Sequence, residues 1–480
     1  MQALLCLAML TVGEKPAVDL LDLNLLELSY RLRLERELAR LDRDDPGWRF
    51  DDLQAARAVV PDDRNLALRL LAIRKQMPAN WPQWTKTEVP GIDNPNYFAR
   101  LNQSHLSKLR LQKRPESRLS HLEIASLDSA VSEAGIQLDA IRQLSRLESG
   151  RYPVMRSGFN VMVEGHDEAR SIFDLVECGA MLAAESKDTN RLAADLQSML
   201  AVARSFGDDG HYLSVIDRLL HAIATSKAIE RALAQTELSE EQLRDLQRRL
   251  EVEDAFNPAP HFLQSLRAES ELMFAFVESG RWADPAWRKA NSLPVAWAKR
   301  LPPRVAFWSA RQVTMTTIRE ALEWERKSNR RRFDPPVSDS NGTEYQADFD
   351  LFISEGMIRQ AIEAIGKKEA HIRTAIAAVA AERFRKAKGR WPKDLAELKP
   401  RYLREVPLDP FSNGELRFVP TKDGILIYSV GEEGKDNNGK REYGDRETPS
   451  DPAALDVGFG LWNIDARRQP PLPPLKQNMP

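Results

Sequence analysis

Gly434-Lys435-Asp436-Asn437-Asn438-Gly439-Lys440 comes close to the spacing of a phosphate-binding loop, in which backbone N–H groups cradle phosphates and a lysine reaches them. Arg441 then stands where a Ser or Thr should hold magnesium, and Asp436 would face the phosphates. No apolar helix follows to present its N-terminus, so nucleotide binding is rejected there. His166-Asp167-Glu168 sets an acid beside a base, but it opens a helical pattern and reads as a helix cap. Ser429 lacks the glycine two residues earlier that a nucleophile elbow needs, since Ile427 is there. The seven histidines are scattered, and 71 carboxylates single out no catalytic pair. Cys6 and Cys178 make neither a disulfide framework nor a zinc site, and Cys178 in IFDLVECGAML reads as a small core residue. No catalytic motif emerges, and the chain is read as a non-enzyme.

The elements that must position any site are mostly helices. A chain of 480 residues with 42% hydrophobic and 29% charged residues suits a folded protein of two or three domains. A net charge of −2 excludes a dedicated nucleic-acid binder. The run Arg326, Lys327, Arg330, Arg331 and Arg332 falls at a helix end, where cations complement the dipole and face water. Ala3 to Val12 is apolar but about half the length of a bilayer-spanning helix. It matches a signal-peptide core in length, yet Lys15 follows it and no basic residue precedes it. Membrane association through a truncated or missing N-terminal anchor is one expectation, and an ordinary buried helix start is the other.

Leu20 to Leu41, dense in Leu, Glu and Arg, predicts a long amphipathic helix that Pro46-Gly47 closes. Shorter helices are expected from Asp51 or Asp52 to Val60 and from Asp63 to Gln76. Residues 77–97 are Pro-rich and irregular, with Trp81 and Trp84 placed to pin this loop onto a helix. Helical periodicity returns over 118–148 and is clearest over 168–253. There Leu192, Leu196, Met199, Leu200 and Ala203 share one face, as do Leu213, Ile216, Leu219, Leu220 and Ile223, joined by the sharp FGDDG connection. Ser239 and Gln242 have capping-box spacing. Short loops between such helices predict an irregular bundle or tetratricopeptide-like array. No 34-residue consensus recurs. DPPVSDSNGT at 334–343 is the best linker.

Ile372, Ile376, Val379, Ala380 and Phe384 mark a helix beginning near Ser354 or Gly366 and ending at Lys388, with Gly389 past its end and Pro392 preventing continuation. DLAELKPRYL predicts a second short helix. Asp409-Pro410 and Asn413-Gly414 are turns. Leu416–Val419 and Ile425–Val430 read as strands joined by Thr421-Lys422-Asp423-Gly424. Pattern alone gives a helix packed on a small antiparallel sheet.

The ordered motifs LxEL…YL…VPLDPF…G…LRF…DG…YSVG over 366–462 resemble the globular domain of the major (G-type) pseudopilin of type II secretion. The array at 168–270 with DDPGWRFDDLQAARAVVPDD upstream resembles bacterial envelope proteins in which a helical region precedes such a tail. That resemblance brings no activity with it. In the pseudopilin family the loop after this strand binds calcium, and the matching positions are Ser429, the Val430 carbonyl, Asp436, Asn438 and Asp456. Oxygen ligands of this kind suit a hard cation. The family's hydrophobic N-terminal helix and prepilin cleavage motif have no counterpart here, and the loop between Gly431 and Asp456 is longer and richer in Lys, Arg and Glu.

The expected organisation is N-terminal helices and a Pro-rich loop over 1–110, a helical array over 111–333 and a linker over 334–350. A pseudopilin-like α+β domain over 351–465 and an extended Pro-rich tail over 466–480 follow. The first functional expectation is a periplasmic or membrane-anchored envelope scaffold working through protein partners. An enzyme with its site in a groove of the helical region, and a cytoplasmic helical adaptor, are the alternatives.

Overall fold

A computed structural model of the chain describes residues 20–44, 46–79, 81, 114–147, 149–157, 160–206, 209–278, 355–441 and 455–471. The expected linker, Trp84 and the Ala3–Val12 segment lie outside the described residues. The helices are α1 (Leu20–Asp44), α2 (Phe50–Ala56), α3 (Leu66–Arg74), α4 (His121–Glu133), α5 (Gly135–Leu144), α6 (His166–Ser186), α7 (Thr189–Arg204), α8 (Tyr212–Gln235), α9 (Glu240–Ala255), α10 (Ala259–Glu278) and α11 (Glu355–Lys388). Strands β1 (Val154–Ser157) and β2 (Asn160–Val163) form a hairpin, and β3 (Arg417–Thr421), β4 (Gly424–Ser429) and β5 (Val457–Trp462) form an antiparallel sheet in that order. The chain is mainly helical with a small C-terminal sheet.

Local chemistry sets many of these boundaries. Asn65 caps α3 by accepting from Ala67 N and Leu68 N, which starts that helix at Leu66, three residues later than an Asp63 start. Ser120 and Glu123, like Ser239 and Gln242, form full capping boxes. The helical stretch expected over 118–148 is two helices that meet at Ala134-Gly135. The short helix expected in DLAELKPRYL reduces to a single 3₁₀ turn, Ala396–Leu398, because Pro400 supplies no backbone N–H. Gly389 takes φ 72° after α11, the left-handed conformation that suits a residue past a helix end. Trp81 is buried and its Nε1 donates a 2.8 Å hydrogen bond to the Ala130 carbonyl, so it pins its segment to α4.

One hydrophobic cluster runs from the array into the C-terminal module. It joins Leu66, Leu138, Phe173, Leu196, Leu233 and Leu250 to Ile372, Val379, Leu398, Ile427, Phe459 and Leu461. Helix α11 packs against both α8 and α9 on one side and against β4 and β5 on the other. A string of ion pairs crosses the same contact. Lys368 of α11 is fully buried against Glu253 of α9, and burial holds its ammonium pKa below the usual range. Arg373 meets Asp254 at 3.0 Å, and Arg383 reaches Glu240 at 2.8 Å. Arg468 reaches Glu185 at 3.3 Å. The module is therefore seated on the array by apolar packing, with paired charges within and around the seam.

Candidate functional site

The loop between β4 and β5 carries the predicted cation ligands, and the sheet fixes its two ends. The register pairs Ser429 with Val457, so the loop leaves and re-enters the sheet at neighbouring positions. Ser429 and Val430 are buried and committed to Asp409 in the LDPF turn. The Ser429 hydroxyl donates to Asp409 Oδ1 at 2.7 Å, and Val430 N donates to Oδ2 at 3.0 Å. Asp409 also accepts from Phe411 N at 2.9 Å. One carboxylate thus ties the turn before the hairpin to the start of the loop.

Asp456 closes the other end. Its carboxylate accepts from Asn437 N at 3.1 Å and from Gly439 N at 2.7 Å, while its own N–H donates to the Lys440 carbonyl at 2.9 Å. Asp436 accepts from the Tyr428 hydroxyl at 3.0 Å and from Asn438 N at 2.9 Å. Asn438 sits at φ 58°, which Asn tolerates better than most residues. Burial raises the Asp456 pKa, its bonds from Asn437 and Gly439 oppose that, and the nearby charges of Asp436 and Glu433 add to the rise. Asp436 is shifted the other way, first by its bond from Asn438 N. The structure thus brings Asp436, Asn438 and Asp456 into one loop, and directs the Ser429 side chain to Asp409 instead. Among the described residues, no group of three or more His, Cys, Asp and Glu is placed to hold a metal ion.

Arg441 leaves this loop toward the array. It pairs with Glu230 of α8 at 2.5 Å, and the same carboxylate accepts from Gly460 N at 2.7 Å. A cavity of about 580 Å³ opens beside it, floored by Ile425, Leu426 and Leu461 and rimmed by Lys422, Lys440 and Trp462. Gly439 borders this space, where a side chain would strike Leu426. Neither Asp409 nor Glu230 was singled out as a functional residue by spacing. The aspartate carried a local signal, its place before Pro410 in a turn, whereas the glutamate carried none.

A second concentration of titratable groups lies at the start of α6. Here the expected helix cap is corrected, because the capping position is Gly165 at φ 89° and makes no side-chain bond. His166 instead sets Nε2 3.0 Å from Asp217 Oδ2, and Asp217 also accepts from Arg170 at 2.6 and 3.0 Å. His211 stands edge-on to His166 at 5.6 Å between ring centroids. Burial first, then the charge of His166, lowers the His211 pKa to about 4. Asp217 is shared between a guanidinium and an imidazole, an arrangement that orients rings and joins α6 to α8.

Among the described residues no helix is long and apolar enough to cross a membrane. No family model matches the chain. No curated protein matches it, and no solved structure matches its fold.

Proposed function

We propose that the chain is a non-enzymatic cell-envelope scaffold, a helical body that carries a type II secretion pseudopilin-like module and acts through protein partners. The observation that carries this reading is the element order of the module. A long helix, a 3₁₀ turn in place of the expected short helix, and the β3–β4 hairpin follow one another in the order of the motifs, and β5 adds a third strand over Val457–Trp462. The seat of the module on α8 and α9 supports a scaffold over a flexible adaptor. The state of the interior carboxylates supports a scaffold over an enzyme. Asp195, Asp217, Glu230, Glu253 and Glu382 are each held by an arginine or lysine within hydrogen-bonding distance. Carboxylates engaged in this way fix geometry, whereas a general base needs a reactive lone pair facing substrate.

Calcium belongs to this reading as the cation of the β4–β5 loop. What supports it is the mutual repulsion of Asp456, Asp436 and Glu433, which a divalent cation would relieve. The Val430 carbonyl and the Asp436, Asn438 and Asp456 side chains are the oxygen donors that the resemblance assigns to that role.

Fractionation of cells expressing the full chain with its upstream genomic sequence tests the proposal, combined with a photo-crosslinker at exposed Val419 on β3. Recovery with the envelope and a crosslink to a pilin-like or other envelope protein supports it. Recovery in the cytosol would replace it with the helical adaptor.

A further inference from the structure

Ile425, Ile427, Phe459 and Leu461 of the C-terminal sheet belong to the hydrophobic core. Their alternates Leu426, Gly458, Gly460 and Trp462 therefore lie on the opposite face, where the register pairs Leu426 with Gly460. A Cβ at Gly460 would meet Arg441 Nη2 and Trp462 Cη2 at 3.0 Å and Glu230 Oε1 at 3.2 Å. The glycine thus lets an indole and a guanidinium lie directly on the strand, in the wall of the 580 Å³ cavity. Arg441 is fixed there but only partly used. Its Nη1 donates to Glu230 and to the Gly458 carbonyl, and among the described residues nothing accepts from Nε or Nη2. The lining as a whole sets Arg114, Lys422, Lys440 and Arg441 against Glu116 and Asp423. Lys422 and Lys440 are exposed and pair with no carboxylate among the described residues. Burial raises the Glu116 pKa, so the negative charge in this wall is the less readily held.

We propose that this cavity binds a small organic anion with a flat apolar body, its ring on Trp462 and Leu426 and its acid group on Arg441 and the two lysines. The volume and the mixture of apolar wall with a few polar groups are those of small-molecule sites. Glu230 and the Gly458 carbonyl hold the guanidinium in one orientation, so its remaining N–H groups are set in place before a ligand arrives. Such a planar fork matches a carboxylate or phosphate better than a neutral group. Glu230 already meets the Arg441 charge, and the lysines supply the excess that draws an anion. A cationic ligand would face four basic side chains, and a neutral one would leave the unused Arg441 donors without an acceptor. The inference goes beyond the scaffold reading and does not rest on it.

Fluorescence titration of the full chain with anilinonaphthalene sulfonate tests it, beside the uncharged phenylnaphthylamine and inorganic sulfate. A single saturable site is expected for the sulfonate, with weaker binding of the uncharged ring and no displacement by sulfate at the same concentrations. K422S/K440S should weaken the sulfonate about threefold per lysine at low salt. The same variant should leave the uncharged probe and the melting curve unchanged, since both lysines are exposed. Glu116→Gln removes a negative charge from the wall and should tighten the sulfonate by about the same factor, which a damaged fold would not do. Absence of a saturable site, or a site that neither variant alters, would overturn the proposal. Equal losses for both probes in the lysine variant would leave only an apolar surface, and displacement by sulfate alone would leave only an ion site. Either result overturns the pairing of ring and acid group. The envelope reading fails separately, through cytosolic fractionation, and anion binding in this cavity would survive that result.

Discussion

Glu230 of α8 accepts a hydrogen bond of 2.7 Å from the backbone N–H of Gly460 on β5, a residue 230 positions later in the chain. The same oxygen pairs with Arg441, which enters from the β4–β5 loop. The outer edge of the sheet thus ends on a carboxylate from the helical array, where another strand would otherwise find an unpaired donor.

Removing that carboxylate should be costly. Glu230 is 2% exposed, so Glu230→Ala leaves the Gly460 N–H without its acceptor and the Arg441 guanidinium without its counter-charge, with the Gly458 carbonyl at 3.3 Å still accepting from Arg441. Breaking one side of a buried pair typically costs 3–5 kcal/mol. Glu230→Gln keeps an acceptor for Gly460 and should lose roughly half as much. Urea denaturation of both variants checks the order, and equal stability of the two would show that the acceptor for Gly460 adds nothing once the charge is gone.

Cleavage in the 334–343 segment should not release the module. The hydrophobic cluster links Leu196, Leu233 and Leu250 to Ile372, Val379 and Phe459, and four or more ion pairs reinforce it. After limited proteolysis the two pieces should co-elute in gel filtration and separate only in a denaturing gel. Independent elution would mean that the shared core is too weak to hold them.

Stability should fall on acidification through the histidine range. The His211 pKa is about 4 in the fold against about 6.5 unfolded, so between those values the unfolded chain binds a proton that the folded chain does not. Stability is therefore fully present above about pH 6.5 and declines toward pH 4, at up to roughly 1.4 kcal/mol per pH unit. His371 is lowered to about 3, first by burial and then by Lys227, Lys367 and Arg441, and acts in the same direction. His211→Asn puts a favoured capping residue at the start of α8, where His211 makes no side-chain cap bond, and should flatten the slope between pH 4.5 and 6, as thermal melts across that range will show. An unaltered slope would mean that His211 titrates normally.

Calcium should raise the melting temperature of the full chain, with magnesium a poorer substitute because it demands tighter octahedral geometry. Asp436→Asn should reduce the calcium gain. Asp456→Ala should abolish it and also lower the metal-free stability by about 1–3 kcal/mol, because Asn437 N and Gly439 N lose their acceptor. Melts that are identical with calcium and with chelator would leave the hydrogen bonds of Asp456 and Asp436 to order the described part of the loop without a cation.

What the amino-acid order determined by itself is local. The capping box at Ser239 and Gln242, the end of α11 before Gly389 and the β3–β4 hairpin all follow from interactions within a few residues. Periodicity reports such interactions directly, because a helix or a hairpin repeats its burial every few positions. The β1–β2 hairpin at 154–163 escaped this reading, since four-residue strands are too short to show alternation. Asp436, Asn438 and Asp456 were named through the resemblance to a calcium-binding loop rather than through periodicity, and the Ser429 hydroxyl named with them donates to Asp409.

Tertiary structure decided the rest. Asp409 under Ser429, Asp217 beside His166, Lys368 on Glu253 and Glu230 on Gly460 are partners 20 to 230 positions apart. A carboxylate's sequence neighbours do not tell which distant cation will share its burial. That choice is made when the helices pack, because an interior charge is tolerated only where the fold brings its counter-charge or donor within hydrogen-bonding reach.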